Sequence, residues 1–121
     1  MSTSEKGQQN APTLEENLKK ALAETILLKL LSEREYYIGE LTSVIHERSD
    51  GALTVIFPYA AIYRLQQAGY IIETEKRHAP DGRRRQYFSI TVQGQKYLEQ
   101  LLNTYAYFIK GFEKILEGGD L

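Results

Sequence analysis

Lys76-Arg77-His78-Ala79-Pro80-Asp81-Gly82-Arg83-Arg84-Arg85 is the stretch on which the reading of this chain turns. Pro80 presets φ and Gly82 accepts positive φ, so Pro-Asp-Gly marks a reversal of the chain. On one side Tyr70 to Glu75, and on the other Gln86 to Thr91, are rich in β-branched and aromatic residues. Two such runs about a turn predict a β-hairpin, here with a long basic tip.

Working outward, Gly69 closes the segment before the hairpin, as a helix C-terminal residue does. That segment carries Ala61, Ile62 and Leu65 at helical spacing. Its start is open between Thr54 as a cap and Pro58 as the first helical residue. Phe57, before proline, is pushed away from helical torsions. A second helix is predicted from Tyr37 to Arg48, with Ile38, Leu41, Val44 and Ile45 on one face, ended by Ser49-Asp50-Gly51. A first helix follows a Thr13 cap, with Glu15 and Glu16 in the turn where the dipole favours carboxylates. Around Leu27 to Leu31 it is apolar nearly all round, which predicts burial on more than one side. After the hairpin, Thr91 is placed to cap a last helix running to about Glu117, ended by Gly118-Gly119. The order helix, helix, helix, strand, strand, helix predicts an α+β, mostly α chain: a winged helix-turn-helix over residues 13–90 with an added C-terminal helix over 91–117. Residues 1–12 are polar and without periodicity and read as a tail, as does 118–121.

The chain has 121 residues, no cysteine and a net charge of −1. The cysteine count excludes disulfides, thiolate metal sites and thiol nucleophiles. Residues 1–12 lack the apolar centre of a signal peptide, and no apolar run approaches the ~20 residues that span a bilayer; the expectation is a cytoplasmic protein without membrane contact. His46 and His78 stand in unlike contexts without metal-ligand spacing, and no phosphate loop or nucleophile elbow occurs. No enzyme, metal or cofactor is expected.

Charge distribution is more informative than its sum. From Lys76 to Arg85 the net charge is +4 with His78 neutral, so the remainder carries −5. Guanidinium groups on a hairpin tip suit phosphates or the electronegative minor groove. Lys76, Arg77, Gly82, Arg83, Arg84 and Arg85 are therefore candidate DNA contacts. On the third helix Thr54, Tyr59, Tyr63 and Arg64 are phosphate-binding candidates, and Gln66 and Gln67 suit adenine edges. On the last helix Leu98, Leu101 or Leu102, Tyr105, Phe108 or Ile109, Phe112 and Ile115 or Leu116 form a seam sustained for about two and a half heptads. With Leu18 and Leu22 of the first helix it predicts a two-fold homodimer. Tyr97, Tyr105 and Phe108, with Tyr107 and Phe112, are candidates for an aromatic cavity suited to a flat ligand.

Two segments resemble PadR-family regulators. Tyr59-Ala60-Ala61-Ile62-Tyr63-Arg64-Leu65-Gln66-Gln67-Ala68-Gly69-Tyr70-Ile71 is similar to the family's recognition helix, with a Tyr near its start, an Arg-Leu pair and a closing Gly. Gly82-Arg83-Arg84-Arg85-Gln86-Tyr87-Phe88-Ser89-Ile90-Thr91-Val92-Gln93-Gly94 resembles its wing, running into the dimer helix. The resemblance spans about residues 20–117 and implies a bacterial transcription regulator, mostly a repressor. It also implies a homodimer on a near-palindromic operator, with the third helix in the major groove and the wing at the minor groove. It further implies the short form of the family, ending in one dimerisation helix, and effectors that include phenolic acids and, in short members, flat lipophilic drugs held at the dimer interface. Tyr105 falls where a drug-sensing short member carries a Trp. Tyr37-Ile38-Gly39-Glu40-Leu41 departs from the family's Tyr-Gly-Tyr-Glu-Leu, and Ile56-Phe57-Pro58 replaces its Gly-Thr-Leu. The rival expectation, favoured by the net charge, is a winged-helix interaction domain that does not bind DNA.

Overall fold

Helix α1 (Leu14–Leu31) is the spine of the molecule. Leu27 and Leu28 are both 0% exposed, and neighbouring helical positions point about 100° apart. The helix is thus covered on two sides, by α4 (Val92–Glu117) on one and by α2 (Ile38–Arg48) and α3 (Pro58–Gln67) on the other. Each fully buried leucine contributes about 1.5–3 kcal/mol relative to exposure, so this double row anchors the core. The computed structural model describes residues 14–55 and 58–118. The expected N-terminal tail, the Thr13 cap, the Ile56-Phe57 step and the residues after Gly118 lie outside the described residues.

Helix α2 presents Leu41 and Ile45 to α1. It stops where Asp50 (φ 54°) and Gly51 (φ 82°) turn left-handed, a conformation that Gly and Asp tolerate. Ser49 holds the turn: its Oγ donates to the Ile45 carbonyl (2.8 Å) and accepts from the Leu53 amide (2.9 Å). Helix α3 begins at Pro58, the second of the two starts weighed from the sequence. Proline suits a first helical position because its missing N–H has no intrahelical partner there. Ala61, Ile62 and Leu65 are buried, and the chain leaves the helix through Gly69 (φ 81°).

The hairpin differs from expectation in its proportions. Strand β1 (Ile71–His78) pairs antiparallel with β2 (Arg84–Ile90), so the ladder carries through most of the basic run. The loop is only the turn about Ala79–Arg83, closed by Gly82 N–H to Ala79 O (2.8 Å) and Ala79 N–H to Arg83 O (2.9 Å). A turn that tight brings both strands into register at once, and alternation of exposed basic side chains is compatible with a solvated hairpin. The basic residues had read as loop because their β-propensity is low. The register shifts between Glu73 and Lys76, a bulge opposite Tyr87.

A third backbone segment joins the hairpin. Phe88 and Tyr36 exchange hydrogen bonds, Phe88 N–H to Tyr36 O at 2.9 Å and Tyr36 N–H to Phe88 O at 3.4 Å. Tyr36 immediately precedes the helix predicted from Tyr37, in a connection too short for a strand signal.

Helix α4 starts as expected: Thr91 Oγ1 accepts from the Gly94 amide (3.0 Å) and donates to the Gly69 carbonyl (2.7 Å). Gly118 (φ 80°) ends it. Among the described residues no helix is long and apolar enough to cross a membrane. Gly94 is required by close approach, since a Cβ there would fall inside the Tyr70 carbonyl. Gly94→Ala is expected to destabilise the fold by about 1–3 kcal/mol, the usual range for overpacking, read as a lowered urea midpoint at fixed protein concentration. An unchanged midpoint would contradict this packing.

Candidate nucleic-acid interface

Helix α3 turns its apolar stripe inward, which sends Tyr59 and Tyr63, four residues apart, outward together. They are 73% and 61% exposed. On β2, strict alternation puts Arg84, Gln86 and Phe88 on one face. Phe88 plugs the core, so Arg84 and Gln86 above it line the space beside α3. The result is a groove of about 470 Å³ between α3 and the hairpin, bordered by Tyr59, Tyr63, Gln66, Arg84, Arg85 and Gln86. The sequence reading had not singled out Gln86 or Tyr37, which also lines this groove. The period-two pattern of β2 was the available signal for Gln86.

The basic side chains fall into two groups. Three are held by carboxylates. Arg64 Nε bonds Glu24 of α1 at 2.9 Å, forty residues away in sequence. Arg77 Nη1 bonds Glu35 at 2.8 Å while its guanidinium lies 3.6 Å from the centre of the Tyr87 ring. Arg85 Nη2 bonds Asp81 at 2.8 Å and lies 5.2 Å from the centre of the Tyr37 ring. Tyr37 and Tyr87 meet edge to face at 5.5 Å. These stacks and pairs tie the hairpin to the start of α2, and cation–π contact adds to ion pairing. Lys76, Arg83 and Arg84 are exposed and in no ion pair among the described residues. Thr54 accepts from Lys19 of α1 (3.0 Å), outside the groove. Gln67 is exposed. Gly82 (φ 84°) has open space about it at the turn.

Asp81 is the carboxylate of the tip. Its Oδ2 accepts from Arg85 and its Oδ1 from the Arg83 amide at 3.0 Å. The Arg85 guanidinium, then the Arg83 N–H, hold its pKa below the ordinary value. A depressed pKa means that this contact persists above the ordinary carboxylate range and is lost only as pH falls through the lowered value. His46 is exposed on α2 and His78 is exposed opposite Arg84 in the ladder. No cluster among the described residues would hold a metal.

The seam of α4 divides in two. Leu98 is buried, and Tyr97 and Leu101 pack on the core. Tyr105 donates to the Ala21 carbonyl of α1. Tyr97 stacks on Tyr70 at 4.2 Å, and burial raises its pKa. Beyond Tyr105 the seam loses its cover: Phe108 is 63% and Phe112 57% exposed, and Ile109 is exposed as well; Leu102, about one turn before Tyr105, is also exposed. On α1, Leu18 is exposed and Leu22 half-buried.

A family model matches residues 27–100, from the C-terminal end of α1 through the hairpin to the first third of α4; its description is "Transcriptional regulator PadR-like family". The chain belongs to the PadR-like family of transcriptional regulators. It is accordingly a DNA-binding transcription regulator and not an enzyme. A transcriptional regulator from Clostridium thermocellum has a similar structure, with a TM-score of 0.71 at 29% identity, over 86% of this chain and 97% of that one. A PadR-like regulator from Bacillus cereus shares the fold at 22% identity, with a TM-score of 0.72 over 85% and 99%. A protein of Lysinibacillus sphaericus is 28% identical over 97 residues, 78% of this chain and 88% of that protein. The winged-helix expectation and the PadR resemblance therefore stand.

The local electrostatics of this PadR wing can be read directly. In a carboxyl-carbon NMR titration, Asp81 is expected to titrate below the ordinary aspartate value and to move up in Arg85→Ala. A midpoint that Arg85→Ala leaves in place would contradict the pairing.

Proposed function

We propose that this PadR-like chain is a cytoplasmic repressor that binds a near-palindromic operator as a homodimer and is relieved by a small aromatic or lipophilic effector. The observation that carries the DNA reading is the groove in which the exposed Tyr59–Tyr63 face of α3 adjoins Arg84 of the wing, which is exposed and in no ion pair among the described residues. In this reading α3 enters the major groove. Tyr59 and Tyr63 bind backbone or base edges, and Gln66 and Gln67 reach adenine. Lys76, Arg83 and Arg84 neutralise phosphates, with the open turn at Gly82 admitting the backbone. Arg64, Arg77 and Thr54 support that surface through the partners they already hold, and Arg85 stands at the edge of the groove beside Asp81.

The dimer reading rests on the uncovered half of α4. Exposed aromatic and aliphatic side chains in one stripe mark an interaction surface, and a second copy supplies a matching stripe. Leu98, Leu101 and Tyr105 then set α4 on its own α1, while Leu102, Phe108, Ile109 and Phe112 meet the partner, joined by Leu18 and Leu22. Two functional parts follow: 13–90 reads DNA and 91–117 joins the copies. An effector between the copies would contact Phe108 and the edge of Tyr105, with Tyr97 behind it. By favouring one separation of the two α3 helices it would shift operator affinity, because half-sites lie about one helical turn apart.

A gel shift with DNA upstream of the chain's own gene tests the first part. Specific retention is expected, and Arg83→Ala and Arg84→Ala each reduce the magnitude of the log K against log salt slope by about one. Retention without any change in slope would contradict the wing assignment; an intact dimer that retains no specific DNA would favour the interaction-domain alternative. Phe108→Glu with Phe112→Glu is expected to convert the dimer to monomer in sedimentation and to weaken operator binding. A dimer that survives both changes would contradict the α4 interface.

A further inference from the structure

The wing tip holds a carboxylate where DNA would bring phosphates. Asp81 is the one acidic residue between Lys76 and Arg85, and it engages Arg85 Nη2 at 2.8 Å and the Arg83 amide at 3.0 Å. The turn itself does not need the Arg85 contact. It is closed by the Gly82-to-Ala79 and Ala79-to-Arg83 backbone bonds, and the Asp81–Arg83 bond is the local type that Asp and Asn both supply.

Arg85 is also incompletely satisfied. Its Nε is buried and has no hydrogen-bond partner among the described residues, while Nη2 is held by Asp81. Leaving a buried donor unpaired is unfavourable. A phosphate oxygen pair accepts from an arginine through two parallel bonds, a stronger arrangement than one. Arg85 also borders the groove beside Tyr59 and Tyr63. A phosphate lodged there would accept from Nη1 and Nη2 together, a pair of bonds that Asp81 does not make; the buried Nε is enclosed by the protein and takes no part.

We propose that Asp81 is an affinity-setting residue of the wing: it occupies Arg85 in place of a phosphate, so that Arg85 is released only when a DNA backbone phosphate enters the groove between α3 and the wing. This rests on the DNA-facing role of the wing proposed above. Two consequences follow. A duplex that meets only the outer tip finds Arg83 and Arg84 close in the chain to a fixed negative charge. A duplex seated along α3 gains Arg85 as well. The latch therefore lowers general attraction to DNA, which comes from phosphate contacts irrespective of sequence, and keeps one cation for a correctly seated backbone. Asp81 acts through Arg85 and is a positioning residue, not itself a DNA contact.

The experiment is a salt series of fluorescence-anisotropy titrations with a mixed-sequence duplex of about 30 base pairs, on the full chain, in wild type, Asp81→Asn, Arg85→Ala and the double variant. Asparagine keeps the acceptor for the Arg83 amide and removes only the charge. Asp81→Asn is expected to bind the duplex roughly five- to tenfold more tightly near 0.1 M salt, with a log K against log salt slope steeper by about one. In the Arg85→Ala background the same change is expected to give no more than a small part of that gain. A turn-building role alone would not steepen the slope. Weaker or unchanged binding by Asp81→Asn, or a full gain that persists without Arg85, would overturn the latch while leaving the DNA reading intact. Failure of wild type and all variants to bind the duplex would overturn the DNA reading and the latch with it.

Discussion

The pair of backbone hydrogen bonds between Tyr36 and Phe88 is the constraint on which the placement of the hairpin beside α3 depends. A two-stranded hairpin is marginal in water by itself. Here β2 gains a third backbone partner, and the pairing sends Phe88 into the core beside Leu27 and Leu28. The adjacent Tyr87 is thereby directed to the opposite face, under Arg77 and against Tyr37. One short bridge thus aims both faces of the strand and sets the wing beside α3.

Rigidity in that position matters because recognition by a helix and a wing requires both to meet one duplex at once. The core holds α3 by Ala61, Ile62 and Leu65, and holds the wing by Phe88, so the helix and the wing share one support. The ion pairs at the surface have a second role. Isolated exposed pairs add little stability, yet Glu24, Glu35 and Asp81 each fix an arginine that would otherwise be free to sample phosphates. An overall charge of −1 is compatible with the proposed DNA reading, in which a few placed cations carry the affinity in place of a broad basic field.

The sequence made the helices and the hairpin legible because their signals are local. Ala61, Ile62 and Leu65 show a helical period, Asp50-Gly51 and Pro80-Asp81-Gly82 are turn chemistry, and Thr91 caps its own helix. What was not legible was decided by distant residues. Arg64 belongs with the recognition helix by position but pairs with Glu24 of α1. Nothing near Arg77 announces Glu35, and a one-residue bridge at Tyr36 is too short to have a pattern. The seam of α4 is continuous in sequence, yet α1 ends its cover near Tyr105, so one stripe has an intramolecular half and an uncovered half. Tyr97 and Tyr105 illustrate the same limit: aromatic density suggested a ligand cavity, whereas these two rings also pack the chain against itself.

The central claim is that α3 and the wing, carried on one support, present a single DNA surface. Amide chemical-shift mapping of the labelled protein during titration with duplex DNA tests it most directly. The account predicts coincident perturbation of residues 59, 63 and 66 on α3 and 82 to 84 on the wing, at the same DNA ratios. Perturbation confined to residues 108 to 116 of α4, with α3 and the wing unmoved, would contradict it.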